Sequence, residues 1–541
     1  MKGKSLLAAL IALGIFSGSA YAAPSFKQSG NKFTINEGAD HAAVQALKGA
    51  DMTKLALTLN NVKDGDLQKV CAAVPELRTL NIENSKELTS IAPVAGLKKL
   101  TVFTLSAEKV KDFSPLSGLT GLTKLQVASD AMGPDLKWMS GLTKINSLAV
   151  SGGPALTSME GLPSLPGLRS ARISHGVFAD LSPITALPGL TSLELTYCTM
   201  SDLSALTKLQ NLKSLSFYGS QVKDFSALAG CPKLESFMYY AVKDADFNTL
   251  GKLTQVKELK GGLTRLDNIS WVAGLPNLKK FDVFAEYVTD YSPLARSKVE
   301  NFQIWSMKVP VNLKTLAGAT SLKWLKLWSV KNVSGFEALG SLTGLEKLIL
   351  NGVNEKQGPV DLSFMGSLRG IKELELSSFD GVKTSGMGSL TALTQLNCYK
   401  LNQNGSEPFD LSFLSKLTSL KNLRVSDCKV SHFEAVSGLG ALSTVTLQKV
   451  DGLTSLDAFK KLPALKQFSV GRGEFKDADL TGFDSNVKVS QRYSSFLPPD
   501  MFPPSHRRRK QPADKQSATE RLTEVRRSFL FPVSAGRKGT V

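Results

Sequence analysis

The chain repeats one short pattern of apolar residues, L-x-x-L-x-L. Eighteen copies start between Leu77 and Leu465, with a mean step of about 23 residues. The clearest copies start at Leu77, Leu122, Leu190, Leu212, Leu322, Leu345 and Leu420. Another copy, Met52/Leu55/Leu57, precedes them and brings the total to about 19. So regular a series predicts stacked repeats rather than several independent domains.

The alternating end of the pattern predicts one short strand with one buried face in each copy. A second apolar cluster follows about ten residues later, as in residues 112–116, 180–184 and 290–294. In these segments Asp or Ser can cap a short helix and Pro can begin it. One such unit cannot bury its own apolar face, whereas stacked units can. We therefore predict an α/β solenoid with a parallel sheet on its concave side and short helices on its convex side.

The segment Asp180-Leu181-Ser182-Pro183-Ile184 and its equivalents resemble the D-L-S-P-L motif of leucine-rich repeats, specifically the internalin-like subclass with 22-residue repeats. The resemblance covers about residues 50–490 and implies a leucine-rich repeat horseshoe that binds a partner, usually a protein, on its concave face. The family usually places Asn three positions after the last strand leucine. Only the first copy does so here, with Asn60, which implies a less regular solenoid.

The segments that flank the repeats predict covers for the two open ends. We assign residues 52–483 to the repeats, residues 23–51 to an N-terminal cap with an Ala-rich helix around residues 42–47, and residues 484–497 to a C-terminal cap. Such covers are needed because the apolar sides of terminal repeats would otherwise face water.

Residues 1–22 have the pattern of a Sec signal peptide. Lys2 and Lys4 precede an apolar run over residues 6–16, and residues 20–22 read A-Y-A, which predicts cleavage before Ala23. The alternative is an uncleaved membrane anchor, for which this run is short. No later stretch of the sequence is apolar and long enough to predict a transmembrane helix. The pattern favours an exported protein that is periplasmic, cell-surface or secreted, in or beyond a bacterial envelope.

Residues 498–541 differ in kind from the rest of the chain. From His506 onward there are ten Lys or Arg and three Asp or Glu residues, in a chain whose net charge is +18. This composition predicts a disordered basic tail. The tail could adhere to anionic lipid, glycan or nucleic acid, or it could have no role. The charge of the remaining chain is too diffuse to predict specific nucleic-acid binding.

The composition and motifs predict no catalytic chemistry. The 541 residues are 42% hydrophobic, which suffices for a core, and contain four His and five Cys residues. No C-x-x-C, H-E-x-x-H, G-x-S-x-G or P-loop pattern occurs. Residues 244–248 faintly resemble a calcium loop, but Thr249 and Gln255 replace its Gly and Glu. We therefore predict no enzyme activity, no metal and no cofactor, and assign no catalytic role to His175.

The cysteines mostly occupy positions that face inward, where they act as small apolar residues. Cys398 and Cys428 lie in adjacent copies, so a disulfide is conceivable in an oxidising compartment. Their offsets within the repeat differ by three residues, which predicts a separation too large for a bond.

Aromatic residues cluster at one repeat position, directly after the last apolar residue of the strand. From the copy at Leu212 onward this position holds Tyr218, Tyr240, Gly262, Phe284, Trp305 and Trp328. Nearby concave positions add Tyr197, Met238 and Trp324, and a later copy adds Tyr399. Because residues between the strand leucines point away from the core, we predict a docking stripe. The alternatives are side chains that only fill a tightly curved face, or a register slip that turns some of them into core.

These patterns predict an exported, monomeric, non-catalytic binding protein whose partner is first a protein and second a glycan. Inserts around residues 355–358 and 402–408 leave the sheet on one rim and could extend that face or be tolerated surface loops. The alternative function is a structural or adhesive envelope component held by its basic tail, and an enzyme is the third hypothesis.

Overall fold

The computed structural model describes residues 26–492, except residues 49, 201, 244, 263–265, 284, 285, 306, 331, 354–359, 380, 404–406, 473 and 476. The predicted signal peptide and basic tail lie outside the described residues. Within them, 23 strands form one long sheet, and three further pairs of two-residue strands lie beside it.

The strands of the main sheet are mostly five residues long and recur once per repeat. In chain order the strands are β1 (Phe26–Ser29), β2 (Lys32–Asn36), β3 (Ala56–Asn60), β4 (Thr79–Glu83), β5 (Val102–Ser106), β6 (Lys124–Ala128), β7 (Ser147–Ser151), β8 (Ser170–Ser174), β9 (Val177–Phe178), β10 (Ser192–Thr196), β11 (Thr199–Met200), β12 (Ser214–Tyr218), β13 (Ser236–Tyr240), β14 (Glu258–Gly262), β15 (Lys280–Val283), β16 (Asn301–Trp305), β17 (Val311–Asn312), β18 (Trp324–Trp328), β19 (Val333–Ser334), β20 (Lys347–Asn351), β21 (Val360–Asp361), β22 (Glu373–Phe379), β23 (Val382–Lys383), β24 (Gln395–Leu401), β25 (Phe409–Asp410), β26 (Asn422–Ser431), β27 (Thr444–Asp451), β28 (Gln467–Gly471) and β29 (Lys488–Arg492).

The helices of the described residues are short, and most are 3₁₀ turns. The α-helices are α1 (His41–Lys48), α2 (Asp64–Ala73) and α3 (Asp457–Lys460). The 3₁₀ turns are Ala92–Gly96, Ser114–Leu116, Lys137–Met139, Ser182–Ala186, Ser204–Lys208, Ser226–Gly230, Phe247–Lys252, Ser270–Gly274, Ser292–Arg296, Leu313–Leu316, Phe336–Ser341, Ser363–Ser367, Met387–Ser389, Ser412–Lys416, Phe433–Gly438 and Asp477–Leu480.

Successive repeats pair in parallel and in register. Leu193 on β10 pairs with Leu215 on β12, which in turn pairs with Phe237 on β13. The second and fourth residues of each such strand point into the core, and they are the apolar residues of the repeat pattern. Full burial of a Leu or Phe side chain stabilises the fold by about 1.5–3 kcal/mol. The prediction of a leucine-rich repeat solenoid with a long parallel sheet is confirmed.

The first copy of the repeat lies two residues later than the sequence predicted. In β3 the inward residues are Leu57 and Leu59, not Leu55 and Leu57 as strand leucines. Leucines alternate through this segment, so the sequence allowed either register. The sheet decides between them, because Phe33 of β2 pairs with Leu57. The segment assigned to the N-terminal cap thus itself supplies a parallel strand, β2, and β29 similarly continues the sheet at the other end.

Most of the predicted convex helices are 3₁₀ turns, and many begin where a side chain two residues earlier binds the backbone N–H. Asp180 Oδ1 accepts a 2.7 Å hydrogen bond from the Ser182 backbone N–H, and Asp180 Oδ2 accepts a 2.6 Å bond from the Ser182 hydroxyl. Pro183 then sets the backbone for a tight turn. Short segments of three to six residues are typical of 3₁₀ turns.

Hydroxyl and thiol groups replace the missing asparagine ladder. The Ser220 hydroxyl accepts a 3.2 Å bond from the Cys198 backbone N–H and donates a 3.1 Å bond to the Leu195 carbonyl. The Cys428 thiol similarly accepts a 3.4 Å bond from the Leu401 backbone N–H. Asn60, predicted to stand at the ladder position, does not, because of the register shift of its repeat.

The Asn402 side chain links two neighbouring repeats beside an insert. Its Oδ1 accepts bonds of 3.0 and 3.2 Å from the backbone N–H groups of Gly381 and Val382, and its Nδ2 donates a 3.1 Å bond to the Glu407 carbonyl. The side chain is 1% exposed, so water cannot replace these bonds. This end of the insert therefore holds the solenoid together.

We expect Asn402→Ala to lower the free energy of unfolding by about 2–4 kcal/mol, because two buried backbone donors lose their acceptor. The control is Asn422→Ala, at an exposed position of β26, with an expected change of about 0.5 kcal/mol or less. Urea unfolding of the full chain followed by circular dichroism measures both. Equal midpoints for the two variants would show that the Asn402 bonds contribute little.

Candidate functional site

The first, third and fifth residues of each strand lie on the side of the sheet away from the core, which we call the open face. The strand register aligns the fifth residues into one column. Thr196, Tyr218, Tyr240 and Gly262 are successive partners in this column, and Trp305, Trp328 and Asn351 are successive partners farther along. All four rings are partly exposed. The register slip that would have buried them does not occur in these repeats.

We define the aromatic patch as two blocks on the open face. The tyrosine block is Tyr197, Tyr218 and Tyr240, with Met238 beside it in the third column of β13. The tryptophan block is Trp305, Trp324 and Trp328. Trp324 is the first residue of β18 and Trp328 is its last. The patch thus holds three of the five tryptophans of the chain.

The rings of the tyrosine block contact one another in sequence. Tyr197 and Tyr218 meet edge to face with centroids 5.5 Å apart, and Tyr218 and Tyr240 lie 6.3 Å apart. The His175 ring stacks on Tyr197 at 5.0 Å, and its Nδ1 lies 3.1 Å from the Ser151 hydroxyl. The tyrosine block therefore continues to the rim of the sheet through a stacked imidazole.

Burial and neighbouring groups favour the neutral form of these tyrosines. Burial, followed by the proximity of Tyr197, raises the pKa of Tyr218. Burial, with smaller contributions from the Asp282 carboxylate and Tyr218, raises the pKa of Tyr240 to about 12. Both side chains are therefore phenols at physiological pH and remain hydrogen-bond donors.

Tyr197 lies one residue beyond its strand, in a second column where the backbone turns through left-handed φ angles. This column includes Asn84, His175, Tyr197 (φ +52°), Gly219 (φ +62°) and Gly352 (φ +60°). The Tyr197 ring covers Gly219, since a Cβ on Gly219 would lie 2.2 Å from its Cδ1 atom. The ring is 45% exposed and stands at the rim because the neighbouring repeat has no side chain there.

The tryptophan block is built around a lysine. Trp305 and Trp328 stack with centroids 6.1 Å apart, and the Lys326 ammonium lies 4.8 and 4.3 Å from the two ring centroids. Lys326 is 2% exposed although it belongs to the open face. Cation–π attraction, worth about 2 kcal/mol or more when desolvated, offsets part of the cost of removing the ammonium from water.

Polar side chains of the third column form the floor beside the tryptophans. Asp282 pairs in register with Gln303, and Gln303 with Lys326. Burial raises the pKa of the Asp282 carboxyl, and the positive charges of Lys260 and Lys326 oppose that shift without cancelling it. Lys260 is itself paired with Glu258 at 2.8 Å.

The remaining predicted binding residues are separate from the two blocks or outside the described residues. Tyr399 lies in the fifth column of β24, three strands beyond Trp328, where the Lys400 ammonium is 5.2 Å from its ring centroid. Phe284 lies outside the described residues, as does the insert at residues 355–358.

Sequence reasoning missed Asp282, Gln303 and Lys326. Polar residues are expected in an exposed column, so their identity carried no signal. What distinguishes them is burial, for Lys326 against the Trp305 and Trp328 rings, and burial depends on side chains from several successive repeats. The one sequence signal of irregular packing here is the Gly261-Gly262 pair. In the structure the buried Tyr239 ring occupies the space where a side chain at position 261 would lie.

Other candidate chemistry of the sequence is structural in this fold. Asp246, from the calcium-like segment, accepts a 3.0 Å bond from the Asn248 backbone N–H and begins a 3₁₀ turn, as other post-strand Asp residues do. The five cysteines are buried free thiols, and burial raises the pKa of Cys71 and Cys428 to about 12. Cys398 and Cys428 form no disulfide. In the described part of the chain no cluster of His, Cys, Asp and Glu has the arrangement of a metal site.

Comparison with solved structures shows which fold these repeats form. An internalin of Listeria monocytogenes matches with 22% identity over 65% of this chain and 88% of that chain, at a TM-score of 0.41. A structure of the Drosophila Toll–Spätzle complex matches with 12% identity over 83% and 62% of the two chains, at 0.54. A TLR13–ssRNA13 complex matches with 18% identity over 81% and 64%, at 0.52. This chain has the leucine-rich repeat fold.

Sequence comparison adds no narrower assignment for this leucine-rich repeat protein. No protein-family model matches the chain, and no curated protein matches it. Among its described residues, no helix has the length and apolar character that crossing a membrane requires.

The contact between Tyr197 and Gly219 can be tested with a matched pair of glycines. Gly219→Ala and Gly352→Ala both place a side chain at positive φ, which costs about 1–2 kcal/mol. A Cβ at Gly352 meets no atom closer than 3.5 Å. Gly219→Ala should lose a further 0.5–1.5 kcal/mol or so, because the Tyr197 ring must leave His175 and Tyr218.

Urea unfolding of the two glycine variants, of Tyr197→Ala and of Tyr197→Ala/Gly219→Ala measures this difference. In the Tyr197→Ala background the Gly219→Ala change should cost only the positive-φ penalty, since no ring remains to be displaced. Superimposable unfolding curves for the two glycine variants would contradict the packing of Tyr197 on Gly219.

Proposed function

We propose that this leucine-rich repeat protein is an exported, non-catalytic binding protein that captures a protein partner on the aromatic patch. The observation that carries the proposal is the register of the open face, which sets Tyr218 beside Tyr240 and Trp305 beside Trp328 with their rings partly exposed. Soluble proteins seldom expose such a row without use, and Tyr and Trp dominate binding hot spots.

Preorganisation supports a binding role. Each ring of the patch is anchored on a sheet strand or directly beside one, and successive rings in each block lie 5.5–6.3 Å apart. The cost of ordering rotamer-rich side chains on association, about 0.5–1.5 kcal/mol each, is largely met during folding. A partner would therefore meet neighbouring rings that are already held in place.

The chemistry of the patch favours a protein over a nucleic acid. The fold alone does not distinguish a protein partner from a nucleic-acid partner, since one matched structure is a complex with a protein and another is a complex with single-stranded RNA. Single-stranded nucleic acids need a positively charged groove. Here Lys260 is paired with Glu258 and Lys347 with Glu373, both at 2.8 Å, and Lys326 is buried against the tryptophan rings.

The proposal predicts that loss of the rings abolishes capture of the partner. We expect Tyr240→Ala/Trp305→Ala/Trp328→Ala to bind at least about tenfold more weakly, because hot-spot truncations cost 2 kcal/mol or more each. The control is Thr104→Ala/Gln126→Ala, on the open face of earlier repeats without aromatics. Immobilised wild-type and variant chains are compared by quantitative mass spectrometry of the proteins they retain. Equal retention by a folded triple variant would remove the patch from the proposed function.

The second candidate function is a structural or adhesive envelope component, favoured by the ten Lys or Arg residues that follow His506. Deletion of residues 498–541 separates the two. We expect the truncated chain to bind its partner unchanged, because the patch is remote in sequence and complete without the tail. Fractionation of expressing cells measures retention in the envelope. Loss of retention with unchanged partner binding assigns adhesion to the tail, and loss of partner binding would contradict our proposal.

A further inference from the structure

Two hydrogen-bond acceptors lie buried and unused beside the tryptophan block. Asp282 Oδ1 and Gln303 Oε1 have no hydrogen-bond partner among the residues that the structure describes. The two residues are register partners in the third column of β15 and β16, so both side chains belong to the open face. Gln303 is only 9% exposed. A buried acceptor without a donor costs about 1–3 kcal/mol, and more when it is charged.

The charges that face Asp282 do not compensate its burial. Lys260 is committed to Glu258 at 2.8 Å, and Lys326 lies over the Trp305 and Trp328 rings. Glu258 adds a repulsive charge, and the pKa of Asp282 stays above its ordinary value because burial outweighs the two lysines. The free protein therefore holds a carboxylate with one oxygen, Oδ1, that accepts no hydrogen bond, beside an aromatic surface.

The missing complement is a cationic group with several N–H donors and a flat face. A guanidinium has five N–H donors in a planar fork, so it can serve acceptors on two adjacent strands at once. It also stacks on aromatic rings, which line this floor. An ammonium is a compact point charge with tetrahedral donors and fits two separated acceptors less well.

A third buried polar atom indicates that the cation belongs to a polypeptide. Trp324 Nε1, on the next repeat, is a buried donor without an acceptor in the described residues. A guanidinium has no acceptor to offer it, whereas a main-chain carbonyl does. An arginine side chain together with its own peptide backbone satisfies all three atoms.

We propose that the aromatic patch recognises an arginine of its protein partner: the side chains that cover the buried polar atoms turn aside, the guanidinium donates to Asp282 and Gln303, and an adjacent main-chain carbonyl accepts from Trp324. This inference rests on the proposed function and specifies the chemistry of the same surface. Asp282 and Gln303 set the specificity for arginine, and the rings supply the apolar contact.

The experiment uses a random dodecapeptide library selected on the immobilised full-length protein. Peptides whose binding is lost in Trp305→Ala/Trp328→Ala are synthesised with arginine, lysine or citrulline at each selected arginine. Citrulline keeps the shape of arginine without its charge. Affinities are measured by isothermal titration against the wild type, Asp282→Asn and the control Asp267→Asn, whose side chain is exposed and lies outside the sheet strands.

We expect the tryptophan-dependent peptides to be enriched in arginine. Replacing that arginine by citrulline, or Asp282 by Asn, should weaken binding about tenfold or more, because a charged hydrogen bond is lost. Asp267→Asn should bind as the wild type does. Asp282→Asn should also unfold at the same or a higher urea concentration, since a raised carboxyl pKa means that the ionised form opposes folding at neutral pH. That combination separates a recognition role from a structural one.

Tryptophan-dependent peptides without arginine, or ones that bind Asp282→Asn as tightly as the wild type, would overturn the arginine inference and leave the protein-binding function standing. Recovery of no tryptophan-dependent peptide would overturn both. If Asp282→Asn binds arginine peptides poorly only because it is unfolded, the unfolding midpoint of this variant will be lower than that of the wild type. This result also counts against a recognition role.

Discussion

In-register parallel pairing is the constraint on which the rest of the structure depends. Each backbone strand aligns with the equivalent strand of the next repeat, as Phe217 aligns with Tyr239 and Tyr218 with Tyr240. A residue type that recurs at one repeat position therefore becomes a continuous column in space. Columns of leucine become the core, and a column that changes to tyrosine and tryptophan becomes an aromatic surface. The same pairing leaves the fifth column on the open face in the repeats whose fifth residue the structure describes.

The register could be predicted from sequence wherever only one pair of alternating apolar residues fitted the strand. It was wrong at the first copy, where Leu55, Leu57 and Leu59 alternate and two registers bury equally many leucines. The choice was made by pairing with Phe33, a residue that the sequence had assigned to a cap. The misplacement of Asn60 followed from the same shift. Local pattern thus fixes the period, while contacts with the preceding repeat fix the register at an end.

The aromatic column could also be predicted, because it needs only the repeat period and the alternation of a strand. The polar floor could not. Whether Asp282 or Gln303 is satisfied depends on how Lys260, Lys326 and the indoles of neighbouring repeats divide their contacts, and no single repeat contains that information. Sequence spacing places side chains in columns, but it does not reveal which of them are buried by the columns on either side.

The open face is also where this protein departs from what stability alone would select. Lys326 is almost fully buried, and Asp282 keeps an unpartnered oxygen. A Leu and an Asn at these positions would each cost less in the free protein. Both costs fall within or beside the aromatic patch, while the regular repeats around them supply the compensating burial. Buried polar groups of this kind beside an exposed surface are what the proposed binding role predicts, because a partner could supply the contacts that the free protein lacks.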